Sequence, residues 1–343
     1  MDGKSRATLL ILIPVYNDWE SVSLLLQGLD SVMAKEEIRA EVLLIDDGSI
    51  KPSQLIMRAQ KAISKVDILH LRRNLGHQRA IAIGLAFIHC NRPMNAVVIM
   101  DGDGEDRPLD VPRLFEKFEQ EKGQKIIFAA RARRSEGTVF CFLYHLYRLV
   151  HRILTGISVR VGNFSILSPL AVSQLVIVSE LWNHYAAAVF KAKMPYATLS
   201  TNRGKRLAGQ SSMNFVGLVT HGLSALSVFG DIIGVRLLIG AIISALLFAG
   251  GVVPLLATRL VADVAMPVWV LYMGGVLLLL LFQALSMSFL LVWLLLNTRA
   301  STTFVPLRDY TYFVQSVTKV YPQLEGPRQR SSRFGFATIP FNQ

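Results

Sequence analysis

Asp101 and Asp103 stand one residue apart at the end of an apolar run, Ala96 to Met100, and are followed by Gly104-Glu105-Asp106-Arg107-Pro108. In an extended backbone, residues i and i+2 point to the same side. The two carboxylates can therefore face one ligand while Gly102 lets it approach the main chain. Glu105 continues the spacing. Two carboxylates leaving a buried strand suit a divalent metal on a diphosphate, since such a metal takes few protein oxygens and completes its shell with phosphate. An isolated Asp-Gly-Asp is also a common acidic turn, so its meaning depends on the elements that carry it.

Apolar runs of strand length recur at Thr8–Pro14, Glu41–Asp46, Val66–Leu71, Ala96–Asp101 and Lys125–Ala130. Segments with helical periodicity lie between them, at Glu20–Ala34, Pro52–Ile63, Gln78–His89 and Asp110–Glu121. Continuous apolar strands alternating with amphipathic helices predict an α/β domain with a doubly wound, mostly parallel sheet. Ligands of such sheets bind outside the carboxyl ends of the strands. Tyr16-Asn17-Asp18, Asp46-Asp47-Gly48-Ser49, Arg72-Arg73-Asn74 and Asp101-Gly102-Asp103 all fall there. Four polar loops on one edge mark a ligand site, which a single acidic turn does not. The first strand runs into Pro14-Val15-Tyr16-Asn17 without the glycine fingerprint of a dinucleotide site, so phosphate charge has to be met in another way. A metal at Asp103 does that.

The composition points to a membrane. Hydrophobic residues make up 52% of the 343 and charged residues 17%, and the mean hydropathy is +0.42. The apolar excess collects after about residue 212. Two runs, about Val235–Ala257 and Val268–Leu296, are long enough to cross a bilayer. Met213–Phe229 reads as an interfacial segment. Arg236, Arg299 and Arg308 flank the hairpin on its outer side, and the positive-inside rule then puts both chain ends in the cytoplasm. The organisation expected is a cytoplasmic domain over 1–211, an interfacial helix over 212–232, two transmembrane helices over 233–298 and a loose basic tail over 299–343.

With 36 Lys and Arg against 24 Asp and Glu the chain carries +12. In a membrane protein this favours anionic lipid or a phosphorylated substrate, and no zinc-finger or basic-zipper spacing supports nucleic acid. Residues from about 138 to 155 are basic and aromatic at helical spacing, which suits either an amphipathic helix on a membrane surface or a core-packing helix with solvated arginines. The two cysteines, Cys90 and Cys141, indicate no disulfide framework. The histidines show no metal-ligand spacing. His77 lies in a loop on the ligand side, as a ligand contact or a plain loop residue, while His145, His151, His184 and His221 read as interfacial or packing residues.

Five stretches, in this order and spacing, carry a resemblance: Ile13-Pro14-Val15-Tyr16-Asn17, Leu44-Ile45-Asp46-Asp47-Gly48-Ser49, Asn74-Leu75-Gly76-His77, Met100 to Asp106, and Arg203-Gly204-Lys205-Arg206-Leu207-Ala208-Gly209. With two membrane helices after them, the chain up to about residue 300 resembles the polyprenyl-phosphate glycosyltransferases of family 2, the group that includes dolichol-phosphate mannose synthase. The resemblance implies a GT-A fold. It also implies inverting transfer of a sugar from a nucleotide-sugar donor, with UDP preferred over GDP, to polyprenyl phosphate, with Mg2+ or Mn2+ as cofactor. Membrane lipids would be partners, and a homo-oligomer is compatible with it.

Residue by residue, the resemblance gives Pro14, Tyr16, Asp18 and Asp46 to the nucleotide base and ribose, and Asp101 and Gly102 to the ribose and diphosphate. It gives Asp103 with Glu105 to the metal, and Arg131 and Arg148 to the acceptor phosphate. Arg206 falls in a mobile loop near the active site. The sequence departs from the family at Gly209-Gln210-Ser211-Ser212, where Gly-Glu-Ser-Lys is usual, and Arg206 or Lys205 is the expected substitute for that lysine. It departs again at Gly162-Asn163-Phe164-Ser165, where Gly-Asp-Phe-Arg is usual, and at Glu105, where Gln is common. Two other readings stand beside this one: a transferase using a different lipid acceptor such as diacylglycerol or ceramide, and a non-catalytic membrane scaffold that keeps the sheet.

Overall fold

The structure, a computed structural model, describes residues 8–53, 55, 60–131, 149–156, 161–209, 215–262, 268–299 and 304–322. The chain divides into two compact units. One is built from residues 1–136, 159–228 and 304–343, the other from 137–158 and 229–303.

The first unit is an eight-stranded sheet in the order β7-β5-β6-β4-β1-β2-β3-β8. Its strands are β1 (Thr8–Val15), β2 (Arg39–Asp46), β3 (Ile63–Leu71), β4 (Ala96–Ile99), β5 (Ile126–Arg131), β6 (Ser165–Leu167), β7 (Tyr196–Thr201) and β8 (Val314–Tyr321). β1 pairs parallel with β2 and β4, β2 with β3, and β5 with β7. β6 and β8 run antiparallel to their neighbours. Helices α1 (Trp19–Lys35) and α3 (Asp110–Gln120) supply the core on one face, where Leu25, Leu29, Met33 and Leu114 meet the β1 and β2 side chains. α2 (His77–Asn91) covers the other, with Ile81, Leu85 and Ile88 against Leu12, Leu43 and Ile45; α5 (Pro169–Leu175) and α6 (Tyr185–Lys191) add Val172 and Ala188 to the same core, and α7 (Phe215–Ser227) follows β7. Burial on both faces is why the parallel strands read as unbroken apolar runs. The sheet is the expected mostly parallel one. The chain winds from β1 through β2 to β3 and then crosses to β4 on the other side of β1. The β1/β4 edge is therefore a topological switch point, where α/β sheets open a ligand crevice.

Two expectations fail here. The helix expected over Pro52–Ile63 is absent from its described residues. The main-chain N–H groups of Lys61, Ala62 and Ile63 donate to the Asp30 carboxylate at 3.0, 2.8 and 3.0 Å, and Ile63 opens β3. A buried acceptor on α1 has replaced the i−4 carbonyls a helix would use. The tail is not loose over its described part: after α10 (Pro306–Asp309), β8 zips onto β3 with Asp67 opposite Lys319 and His70 opposite Ser316. The arginine cluster at 328–333 lies outside the described residues.

The second unit contains α8 (Gly230–Ala262), α9 (Val268–Arg299) and residues 149–155 as a helical stretch, α4. α8 and α9 lie against each other. Each holds a 23-residue apolar span, Gly230–Val252 and Tyr272–Leu294, with mean hydropathy 2.4. Their side chains are mostly exposed, Leu247 and Tyr272 at 73% and Phe282 at 68%. A core helix of a soluble protein buries such side chains; these two helices are long and apolar enough to cross a membrane. Arg236 Nη1 donates to the Ile153 carbonyl at 2.7 Å, tying α8 to α4.

Candidate functional site

Three loops at the carboxyl edge are stitched together by side chain to main chain bonds. Asn17, with φ +56°, lies just beyond β1. Its carbonyl oxygen accepts from Ile50 and Lys51 N–H at 2.9 and 3.1 Å, and its own N–H donates to Ser49 Oγ at 2.9 Å. Asp47 reaches from the β2 loop to the β3 loop, accepting from Leu75 N–H at 2.7 Å and Gly76 N–H at 2.8 Å. Gly48 between them has φ +69°, and a Cβ there would lie 2.6 Å from the main chain of Arg73 and Asn74. Only glycine permits that approach. Burial pushes the Asp47 carboxyl up to about 6, and the two N–H bonds only partly offset it.

Asp46, next to it, behaves differently. Burial works to raise its carboxyl, but hydrogen bonds from His70 and Ser49 outweigh that and hold it below the usual carboxylate value. Ser49 N–H donates to Oδ1 at 2.9 Å, and His70 Nδ1 lies 2.9 Å from Oδ2. An ionised carboxylate only accepts, so the His70 proton is assigned to Nδ1. Nε2 then accepts from the Thr318 hydroxyl at 3.2 Å. A cavity of about 440 Å³ opens beside this row, lined by Asp46, Ser49, His70, Arg73, Gln315 and Ser316 among others.

The acidic loop leaves β4 at the switch point. Gly102 sits closely packed there: a Cβ would lie 3.0 Å from Val22 Cγ2 and 3.3 Å from the Pro14 carbonyl, so a side chain would make its neighbours give way. Asp106 turns back to accept the Asp101 N–H at 2.9 Å, and Asp103 Oδ1 accepts the Glu105 N–H at 3.0 Å. Residues 203–208 lie over this loop. Gly204 N–H donates to the Glu105 carbonyl at 2.8 Å, and Leu207 N–H to the Asp103 carbonyl at 2.9 Å. Arg206 bridges two carboxylates, with Nη1 3.4 Å from Asp103 Oδ2 and Nη2 on Asp18 Oδ2. Asp18 Oδ1 accepts from Ser21 Oγ at 2.7 Å. Glu105 turns to Arg203, whose Nε donates at 2.8 Å. Burial raises the Asp103 carboxyl, reinforced by the charges of Asp101 and Glu105. The Glu105 N–H and the Arg206 cation act the other way.

A second polar chain runs from Asp101 to α2. Asn163 Nδ2 lies 3.4 Å from Asp101 Oδ1, and its carbonyl oxygen accepts from Gln78 Nε2 at 2.9 Å. Tyr185 N–H donates to Gln78 Oε1 at 2.6 Å, which fixes the amide and turns Nε2 to His77 Nε2 at 3.0 Å. The His77 ring therefore accepts at Nε2. The His221 ring centroid is 5.1 Å from that of His77 and 4.8 Å from that of His184. Burial and His77 lower the His221 imidazole to about 4, with Asp101 acting to raise it.

The residues expected at the site thus divide. Asp18, Asp103 and Arg206 converge, with Asp101 and the buried Gly102 beside them. Arg206, and not the exposed Lys205, makes the carboxylate contacts. Asp46 lies one strand over, at the cavity. Pro14 lies one residue before the end of β1 with its carbonyl against Gly102, and Tyr16 is 40% exposed. Glu105 is engaged by Arg203. Arg131 closes β5, its side chain lying outside the described residues, as do Arg148, most of the 138–155 segment and Gln210–Ser212. Ser165, where the family has arginine, is buried and bonded to Tyr185 Oη at 2.7 Å, so it contributes no cation. Asn17, Asp47, His70 and Gln78 went unnoticed as positioning residues, although Asn17 and Asp47 stand inside the stretches quoted above.

Among the described residues, no three or more His, Cys, Asp or Glu side chains group as a metal-binding set. A hard divalent cation on a diphosphate does not need one. Asp103 with Glu105 two residues on would offer such an ion two carboxylates, and the charges of Asp101 and Glu105, which add to burial in raising the Asp103 carboxyl, would be offset by a cation.

Residues 10–170 match the family described as Glycosyl transferase family 2. The chain is 26% identical over 225 residues to the uncharacterized glycosyltransferase YkcC of Bacillus subtilis, covering 64% of this chain and 67% of that one. It is 26% identical over 278 residues to the uncharacterized glycosyltransferase sll0501 of Synechocystis, covering 78% and 86%. It is 30% identical over 138 residues to the undecaprenyl-phosphate 4-deoxy-4-formamido-L-arabinose transferase of Erwinia tasmaniensis, covering 40% of this chain and 41% of that one. The chain thus spans about two fifths of the length of that transferase.

Proposed function

The chain carries a family 2 glycosyltransferase domain over residues 10–170, and on that premise we propose that it transfers a sugar from a nucleotide-sugar donor to polyprenyl phosphate at the cytoplasmic face of a membrane. The observation that carries this is the convergence of Asp18, Asp103 and Arg206 at the sheet's switch point, in a chain with two helices long and apolar enough to cross a membrane. The relative named for undecaprenyl phosphate supports the acceptor class.

The donor base and ribose lie along Pro14, Tyr16, Asp18 and Asp46, and the diphosphate lies beside Asp101 and Gly102. Asp103 with Glu105 would hold Mg2+ or Mn2+. When bound, the ion offsets charge on the leaving nucleoside diphosphate. Arg206, already paired with Asp103, carries positive charge to the same place. Glu105 becomes available as Arg203 releases it. An oxygen of the lipid phosphate forms the bond to the anomeric carbon as the bond to the nucleoside diphosphate breaks. The diphosphate takes the electron pair, and the anomeric configuration inverts. The attacking oxygen is anionic at neutral pH, since a phosphate's second pKa is about 6, so no strong base is required. Arg131 and Arg148 orient the acceptor phosphate through their planar forks.

The strand pairing supports the topology. β8 follows the hairpin and pairs with β3 from before it, so the chain leaves the sheet, makes two spans and returns to the same side. Arg236, Arg299 and Arg308 at the flanks make that side the cytoplasmic one. The test is transfer by full-length protein in liposomes, offered radiolabelled nucleotide sugars with polyprenyl phosphate or with diacylglycerol. Label in the phospholipid-like product supports the reading. Label only in the neutral lipid replaces the acceptor. No transfer from any donor favours a scaffold.

A further inference from the structure

We propose that β8, the strand that follows the membrane hairpin, forms one wall of the donor's base pocket, and that Gln315 and Ser316 select the nucleotide base. The proposal rests on the nucleotide-sugar reading above and adds to it a specificity element from the far end of the chain.

Asp46, His70 and Ser316 are cross-strand partners in register on β2, β3 and β8. The cavity of about 440 Å³ opens against this row and is lined by Gln315 and Ser316 as well as Asp46. The row begins two strands from the β4 end that carries Asp103, with β1 between, about 10 Å at the spacing of neighbouring strands, which is within reach of a nucleoside whose diphosphate is at the switch point. The groups around it suit the edge of a base. Asp46 is an anionic acceptor, Ser316 both donates and accepts, and the Gln315 amide offers a donor and an acceptor side by side. Arg72 and Arg73 also line the cavity and suit a base carbonyl or a phosphate oxygen; the paired donors and acceptors beside them are what discriminates one base from another.

The wall is held in place. Arg72 N–H donates to the Phe313 carbonyl at 2.9 Å and Arg72 Nε to the Val314 carbonyl at 3.2 Å. Thr318 caps His70 at 3.2 Å, and His70 in turn orients Asp46. β8 thus sets both its own side chains and, through His70, the carboxylate on the opposite side of the cavity.

The test is calorimetric binding of UDP, GDP, CDP and ADP, and of inorganic diphosphate, to the full-length protein in detergent with Mn2+ present. The variants are Gln315→Ala, Ser316→Ala and Thr318→Val, each checked for an unchanged unfolding temperature. Wild type should prefer one base. Each of the first two variants should weaken that nucleotide about 5- to 50-fold, the effect of unpairing a site's polar group, and leave inorganic diphosphate within twofold. Thr318→Val should reduce the preference while keeping Gln315 and Ser316 intact. Unchanged affinity and unchanged base preference in all three variants would overturn the assignment of β8 while the donor reading stands. Wild type that binds no nucleoside diphosphate overturns both.

Discussion

Replacing Asp47 by alanine tests whether the donor loops are held as described. Asp47 is 2% exposed and bonds the N–H groups of Leu75 and Gly76 at 2.7 and 2.8 Å. Removing it leaves two N–H groups without their acceptor, at about 1–3 kcal/mol for each buried group. Against this stands the cost of keeping the carboxylate ionised. Burial raises it from 3.8 to about 6, which at about 1.4 kcal/mol per pH decade is about 3 kcal/mol. A carboxyl raised on folding contributes stability that is fully present below 3.8 and lost as the pH rises through about 6. The two lost acceptors together cost about 2–6 kcal/mol and the relieved carboxylate returns about 3, so at pH 7 the variant should lie between about 1 kcal/mol more stable and about 3 kcal/mol less stable than wild type. The gap in favour of wild type should widen by about 2 kcal/mol at pH 4 and about 3 kcal/mol below pH 3.8. Denaturant unfolding of both proteins in detergent, read by tryptophan fluorescence, measures it. Trp19 reports on these loops because its indole N–H donates to the Lys51 carbonyl at 3.1 Å. A gap that stays constant or narrows on acidification would refute the assignment of a buried, strained carboxylate.

Gly48→Ala should cost about 2–4 kcal/mol in unfolding free energy and weaken nucleotide binding, because its Cβ would sit 2.6 Å from two main-chain atoms at φ +69°; wild-type affinity would count against the loop contact. Asn163→Asp restores the family's carboxylate but sets it 3.4 Å from Asp101 Oδ1. The pair's carboxyls should rise, so the variant should lose about 1–3 kcal/mol at pH 7 and recover as the pH falls towards 4, in the same unfolding assay. Arg206→Ala removes the bridge between Asp18 and Asp103. It should tighten Mn2+ binding in the absence of nucleotide and lower transfer, and Mn2+ affinity unchanged from wild type would show that Arg206 does not compete for Asp103.

The inner strands were legible because burial on both faces makes a parallel strand an unbroken apolar run, and Leu9–Ile13 or Ala96–Met100 cannot hide that. The acidic loop was legible for a local reason too: a two-residue spacing at a strand end fixes which way Asp101 and Asp103 point. What escaped depended on partners distant in sequence. Pro52–Ile63 has helical periodicity, yet Asp30 on α1 captures the N–H groups of residues 61–63. β8 is a half-exposed edge strand whose partner, β3, precedes the hairpin, so no local pattern separates it from a tail; its Val314, Val317, Thr318 and Val320 were the signal available. The Asp101–Asn163–Gln78–His77 chain joins three separate segments. Asn163, noticed as a departure from the family, proves to be a bonded link in it.

The most direct measurement is formation of sugar-linked polyprenyl phosphate by the full-length protein and by Asp103→Asn in the same liposomes, with Mn2+ and a panel of nucleotide sugars. Wild type should give a product of inverted anomeric configuration from at least one donor, and the variant, shown to be folded by its cooperative unfolding transition, should give background. Equal product from the two proteins, or none from wild type with any donor, would contradict it.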